Sequence, residues 1–156
     1  MLIDFNSDDW RAAKLSNLSE TPFVIDDQEF RSVEGFIQHL NFPPDDFRRD
    51  LCRELSGADI MAMAYQADQL LEQRAVCYWK DEVLDFYSQM KDDLAERAIR
   101  AKFEQDRLSR KALRRVAGRR LVFDGNQEVH SSIFPELLLH VLNSIRDGME
   151  VENEEG

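Results

Sequence analysis

The apolar positions change their spacing several times along the chain, and each change marks an element. Pro22-Phe23-Val24-Ile25-Asp26-Asp27-Gln28-Glu29-Phe30 places β-forming residues on both sides of an Asp-Asp pair. Asp tolerates turn conformations, so this stretch predicts a short hairpin, with Leu2 to Phe5 as a candidate neighbouring strand. From Ser32 the spacing becomes helical. Val33, Phe36, Ile37 and Leu40 recur every three to four positions, Ser32 is placed to cap the helix, and Pro43-Pro44 stops it.

Phe47, Leu51 and Leu55 form a stripe that ends at Gly57, and a second helix is expected from Asp59 to Leu71. The longest pattern starts near Asp81: Val83, Phe86, Met90, Leu94 and Ala98 keep helical spacing toward Phe103 and predict one long helix. Asp106 then caps a further helix with Leu108, Ala112, Leu113 and Val116 inside, Arg107, Arg110, Lys111, Arg114 and Arg115 outside, and Gly118 at its end. Leu121-Val122-Phe123 reads as a strand entering an Asp124-Gly125-Asn126 turn. Ile133, Phe134, Leu137, Leu138, Val141, Leu142 and Ile145 predict a last helix with a wide buried face, Pro135 being tolerated in its first turn. Residues 148–156 are acidic and nearly free of apolar side chains, which gives little reason for order. The expected fold is α+β: a mostly helical single domain over residues 1–147 with a small N-terminal β-hairpin.

With 156 residues, 43% of them hydrophobic, such a domain buries a core without metal or disulfide staples. No run approaches the roughly 18 to 20 apolar residues of a membrane helix, and Met1-Leu2-Ile3-Asp4-Phe5 lacks the basic end and apolar stretch of a signal peptide. A cytoplasmic protein with no membrane partner is expected. Cys52 and Cys77 form no Cys-x-x-Cys pair and read as reduced, structural thiols. The net charge of -11 argues against bulk attraction to nucleic acid or an anionic membrane. Even so, 10 of the 20 Lys and Arg residues lie between Arg97 and Arg120. That cluster reads either as a solvated helix face or as a local anion site for phosphates.

Generic chemical motifs are few. His39, His130 and His140 have no partner at metal-ligand spacing, and no Gly-x-Gly-x-x-Gly, Walker lysine or Gly-x-Ser-x-Gly motif occurs. No metal or cofactor is implied. Polar and aromatic residues instead concentrate in Ser16-Asn17-Leu18-Ser19 before the hairpin and Ser32-Val33-Glu34-Gly35-Phe36-Ile37-Gln38 after it. A hairpin returns the chain near its origin, so the two segments are expected to meet.

Ser16-Asn17-Leu18, Pro22-Phe23, Asp26-Asp27, Ser32-Val33-Glu34 and Gln38 occur in that order, followed far downstream by Ala98-Ile99-Arg100-Ala101-Lys102-Phe103-Glu104-Gln105. This ordered set, over roughly residues 3 to 146, resembles the NADAR family (NAD- and ADP-ribose-associated). The resemblance implies an N-glycosidase acting on a phosphorylated ribosyl small molecule of the riboflavin pathway, or on ADP-ribosylated guanine in nucleic acid. Cleaving an N-ribosidic bond builds positive charge at the anomeric carbon, which a carboxylate stabilises, and ligand phosphates need fixed cations or N-H groups. Glu34 is the family's motif acid and hence the catalytic candidate; without the family it reads as a first-turn acid favoured by the helix dipole. Gln38 binds ligand or orients that carboxylate. Ser16 and Asn17 hydrogen-bond ribose or base, and Lys102 meets phosphate. Phe23 and Trp79 stack on the base or simply pack in the core.

Two departures from the family pattern favour a rival reading, a nucleotide-binding regulatory domain that has lost the chemistry. Asn41 stands where many members carry a Lys assigned a covalent role, and Asn cannot form an imine; Lys14 is a candidate substitute. A Trp-Gly motif with a nearby Asp is also missing, and Asp124 and Glu128 only supply acids to that region.

Overall fold

The computed structural model describes residues 1–123 and 129–155. The Asp124-Gly125-Asn126 turn and Glu128 lie outside the described residues. The elements in order are α1 (Trp10–Leu15), β1 (Phe23–Ile25), β2 (Gln28–Phe30), α2 (Val33–Asn41), α3 (Phe47–Leu51), a 3-10 turn (Cys52–Glu54), α4 (Gly57–Gln73), β3 (Val76–Trp79), β4 (Glu82–Asp85), α5 (Gln89–Gln105), α6 (Arg107–Arg115) and α7 (Pro135–Glu155). The fold is α+β, with two separate two-stranded antiparallel sheets.

Strands β1 and β2 pair Phe23 with Phe30 and Ile25 with Gln28. Asp26 and Asp27 both adopt positive φ, 48° and 63°, the left-handed pair that lets a two-residue turn match strand twist. Arg97 and Lys80 hold the Asp26 carboxylate at 2.8 and 3.3 Å, offsetting the cost of that conformation. The Gln105 side chain then bonds both backbone groups of Val24, each at 2.7 Å, and docks the hairpin on the end of α5.

Helix α2 is the centre of the molecule, and all nine of its residues are buried. Ser32 caps it, accepting from the Gly35 N-H at 2.9 Å while its hydroxyl donates to the Leu55 carbonyl at 2.8 Å. Phe36, Ile37 and Leu40 enter a core built also from α5, α6, α7 and the hairpin; a second, smaller cluster of Phe42, Cys52, Ile60, Met63 and Ala67 lies under α4. Cys52 and Cys77 are free and buried, and burial pushes their thiols up to about 12 and about 11.

Several expectations need correction. The pattern from Asp81 is two elements. Val83 belongs to β4 and is 53% exposed, Lys80 turns the β3-β4 hairpin at φ 54°, and α5 starts only after Ser88, which caps Lys91 N at 3.3 Å. The helical spacing of Val83 with Phe86 and Met90 is fortuitous, since Met90 is also exposed. Leu2 pairs with Val122 in a single parallel bridge and does not join the N-terminal hairpin. In α6, Leu108 faces solvent and Ser109 is buried in its place, accepted by the Asp106 cap at 2.6 Å. Helix α1, capped by Asp9, has too short an apolar pattern to announce itself. Finally, α7 runs beyond position 147, with Met149 buried in the core. Among the described residues no helix is long and apolar enough to cross a membrane.

Candidate functional site

On a helix buried all round, three polar side chains one turn apart demand an explanation. Glu34, Gln38 and Asn41 fall at i, i+4 and i+7, so they share one stripe of α2. They face the segment Ser131-Ser132, which α4 holds in place: Asp68 accepts the Ser131 N-H at 2.7 Å and the His130 N-H at 3.0 and 3.1 Å. The Ser131 hydroxyl donates to the Ala64 carbonyl at 2.9 Å.

The stripe itself is cross-bonded. Gln38 Nε2 donates to Glu34 Oε1 at 2.8 Å and to Ser131 Oγ at 3.1 Å. Asn41 Nδ2 donates to Gln38 Oε1 and to the Ser131 carbonyl, both at 3.0 Å. Ser132 Oγ adds a second donor to Glu34 Oε1. Both fixed bonds thus land on one carboxyl oxygen, and Oε2 has no hydrogen-bond partner among the described residues. Burial pushes the Glu34 carboxyl above its ordinary pKa; the bonds from Ser132 and Gln38 and the charge of Lys91 oppose this, and Asp68 reinforces it. Lys91 is itself buried, its Nζ 4.1 Å above the Phe86 ring, and burial lowers its pKa.

Glu34 opens on a cavity of 540 Å³. Ser16, Asn17 and Leu18 form one wall, and Ser132 to Glu136 form another. Tyr87 and Phe134, 72% and 63% exposed, also line it, so two aromatic rings stand at its open side. The two segments expected to meet do so, and the Glu34 N-H donates to the Asn17 carbonyl at 2.9 Å.

Ser16, Asn17 and Glu34 therefore share the cavity, and Gln38 stands directly behind the carboxyl with all its polar atoms engaged. It orients Glu34. The others are elsewhere. Phe23 is in the core, stacked on Phe30 with ring centroids 6.0 Å apart. Trp79 packs edge-on against Phe36 at 5.7 Å. Lys102 is 1% exposed, and its Nζ donates to the carbonyls of Lys14 and Ser16 at 2.7 and 2.9 Å and to Ser19 Oγ at 3.1 Å. Burial, then the charge of Lys14, push it down to about 7, while Asp106 pulls it up. Lys14 pairs with Asp106 at 3.4 Å, away from the cavity. Among the described lining residues there is no Lys or Arg. At the start of α2 the N-H groups of Glu34, Gly35 and Phe36 are already taken, by the Asn17 carbonyl, Ser32 Oγ and the Ser32 carbonyl. Asn41 lies below Gln38, and its Oδ1 is a buried side-chain atom with no partner among the described residues.

A family model described as "Bacteriophage protein GP30.3" matches residues 9–134, a span holding every described part of this site up to Phe134. The chain belongs to the bacteriophage protein GP30.3 family. Its GP30.3 fold is similar to the NMR structure of the E. coli protein YbiA, with a TM-score of 0.66 and 20% identity. That alignment covers 100% of this chain and 88% of YbiA, a likeness of fold. Comparison with curated proteins gives no match.

Asp68, Lys91, Ser131, Ser132 and Tyr87 escape the sequence reading, and Phe134, expected on the buried face of the last helix, is exposed just before α7 begins at Pro135. The buried polar stripe was a usable signal: Glu34, Gln38 and Asn41 repeat at the helical period beside Phe36, Ile37 and Leu40. The partners of that stripe on the facing segment lie 90 or more positions away and carry no local mark.

Proposed function

We propose that this GP30.3-family chain is a divergent NADAR-type N-glycosidase, hydrolysing the N-ribosidic bond of a phosphorylated ribosyl compound, with Glu34 as the acid-base group. The observation that carries the reading is the asymmetry of its carboxyl on the cavity wall: Oε1 is held by two donors, and Oε2 has no hydrogen-bond partner among the described residues. Burial raises the Glu34 pKa above the ordinary carboxyl value, so the group keeps its proton to higher pH than a free carboxyl does, which suits it to deliver that proton from Oε2.

In this reading the C1′–N bond breaks as Glu34 protonates the departing base nitrogen, and the resulting carboxylate stabilises the ribosyl cation. Water then adds its oxygen to C1′ and returns its proton to Glu34. Tyr87 and Phe134 offer stacking faces for the base, and Ser16 and Asn17 offer hydrogen bonds to ribose. Because no Lys or Arg stands in the described lining, the phosphates point out of the cavity toward solvent. The similarity of fold to YbiA supports the family part of this reading.

A second reading, an ADP-ribose-binding regulatory domain without catalysis, is favoured by Asn41, whose buried amide supplies no nucleophile. One experiment separates the two. Purified protein is incubated with ADP-ribosylated guanosine and with phosphoribosyl pyrimidines, free base is measured by mass spectrometry, and ADP-ribose binding is measured by calorimetry. The glycosidase releases base and Glu34→Gln does not, while still binding; Gln keeps an oxygen for both Ser132 and Gln38. Equal release by Glu34→Gln refutes the assignment, and tight binding with no product establishes the binder. The variant also loses a pH slope: Glu34 is raised in the fold, so wild-type stability falls as pH rises from the ordinary carboxyl range through the folded pKa.

A further inference from the structure

The wall of the cavity formed by Ser16, Asn17 and Leu18 belongs to no helix or strand, so its shape has to be imposed from outside. Three different elements impose it. The carbonyl of Ser16 accepts from Lys102 Nζ of α5 at 2.9 Å, that of Asn17 from Glu34 N of α2 at 2.9 Å, and that of Leu18 from Gly57 N of α4 at 2.7 Å. Two of the donors are backbone groups that come free with a helix start. The third is a lysine side chain, brought in from 86 positions away and buried to 1% exposure.

Burying an ammonium is costly unless every proton has an acceptor. Lys102 meets that condition with acceptors from one short stretch of chain, the last turn of α1 and the loop after it: the carbonyls of Lys14 and Ser16 and the hydroxyl of Ser19. The groups facing it are Lys14 and Asp106, which pair with each other. Lys102 is 1% exposed and its sequence neighbours Ala101 and Phe103 belong to the core, so an apolar side chain at this position would avoid the cost of burying a charge. Packing alone therefore does not account for a lysine here. Its three bonds account for one thing, the path of the chain from Lys14 to Ser19.

We propose that Lys102 is a positioning residue of the cavity: from behind the wall it holds Ser16 and Asn17 toward the ligand without touching the ligand itself. The second half of this statement rests on the proposed ligand-binding role of the cavity; the first half does not.

The test therefore has two arms. Lys102→Met keeps the stem and removes all three donors, and Ser19→Ala removes one acceptor at a surface-near position with little risk to folding. In the unliganded protein, hydrogen exchange at the amides of Ser16 and Ser19 is expected to rise at least tenfold in Lys102→Met and less in Ser19→Ala. Amides in α5 and α7 should be unchanged. With ADP-ribosylated guanosine as substrate, KM is expected to rise about tenfold with kcat within twofold, and the pH profile should not move. Unchanged exchange in the wall in both variants overturns the proposal, as does a rise spread evenly over the whole chain. A softened wall with unaltered KM limits Lys102 to structure and overturns the positioning role. Should Lys102→Met not fold, Ser19→Ala alone decides by the same two readouts. If the wild-type protein has no turnover and no ADP-ribose affinity, the function proposed above fails, while the exchange arm still reports on the wall.

Discussion

Replacing Gly35 by Ala tests how tightly helix α2 is clamped. Ala is ordinarily the better helix residue by about 1 kcal/mol. At this position, however, a Cβ would stand 2.5 Å from the Cys52 carbonyl oxygen, 3.1 Å from Ser32 Oγ and 3.3 Å from the Leu55 carbonyl oxygen. Two of these are backbone atoms of the 3-10 turn and its end, and the third is the helix cap. Reaching an ordinary contact of 3.4 Å from 2.5 Å needs a shift of about 0.9 Å, and neither side has room to give it. Overpacking of this kind costs roughly 1 to 3 kcal/mol. With two of the three contacts to backbone oxygens the upper part of that range applies, about 2 to 3 kcal/mol, and after the helix gain of about 1 kcal/mol is subtracted Gly35→Ala should lose on the order of 1 to 2 kcal/mol. Gly148→Ala is the control: it lies in α7 with nothing within 4 Å of its added Cβ, and should gain about 0.5 to 1 kcal/mol. Urea unfolding with a shared m-value measures both, and melting should separate the variants by at least about 4 °C. A Gly35→Ala protein as stable as wild type would refute the clamp, and with it the claim that Glu34 is held rigidly.

Two further outcomes are expected. His39 is buried with Nδ1–H donating to the Arg49 carbonyl, and burial, followed by the charge of Arg49, pushes it down to about 4. The unfolded chain then binds more protons between about 6.5 and 4, so stability present above pH 6.5 is lost as pH falls, at up to about 1.4 kcal/mol per unit; His39→Gln should flatten that part of a stability-against-pH curve measured by urea unfolding. Asp68→Ala removes the acceptor for two backbone N-H groups and should cost on the order of 1 to 2 kcal/mol. Because those N-H groups fix Ser132 against Glu34, the variant should also weaken ADP-ribose binding in calorimetry, and unchanged affinity would separate the anchor from the site.

Much of the fold was legible because its signals are local. Ser32 with Val33, Phe36, Ile37 and Leu40 gives α2 almost to the residue, and Asp26-Asp27 gives the hairpin turn, since cap and turn chemistry act within a few positions. Val83 shows the limit: three residues at helical spacing do not make a helix when a turn at Lys80 and a cap at Ser88 intervene. In the site, Ser16, Asn17, Glu34 and Gln38 fall together as their order suggests. Phe23, Trp79 and Lys102 do not, because residue type cannot tell a ring in the core from a ring in a cleft, or a lysine that meets phosphate from one that meets carbonyls. Asp68 and Ser132 were hidden for a different reason, their partners being distant in sequence and fixed only by packing.

The total enclosure of α2 also bears on how such a site can diverge. A helix with no solvent face tolerates few replacements, so the stripe of Glu34, Gln38 and Asn41 cannot drift one residue at a time without unsettling its neighbours. Tyr87 and Phe134 project from connections and are themselves exposed. If the cavity binds a ligand as proposed, changes in what it accepts are therefore expected to accumulate at those two rings, leaving the Glu34 stripe frozen while the molecules presented to it are exchanged.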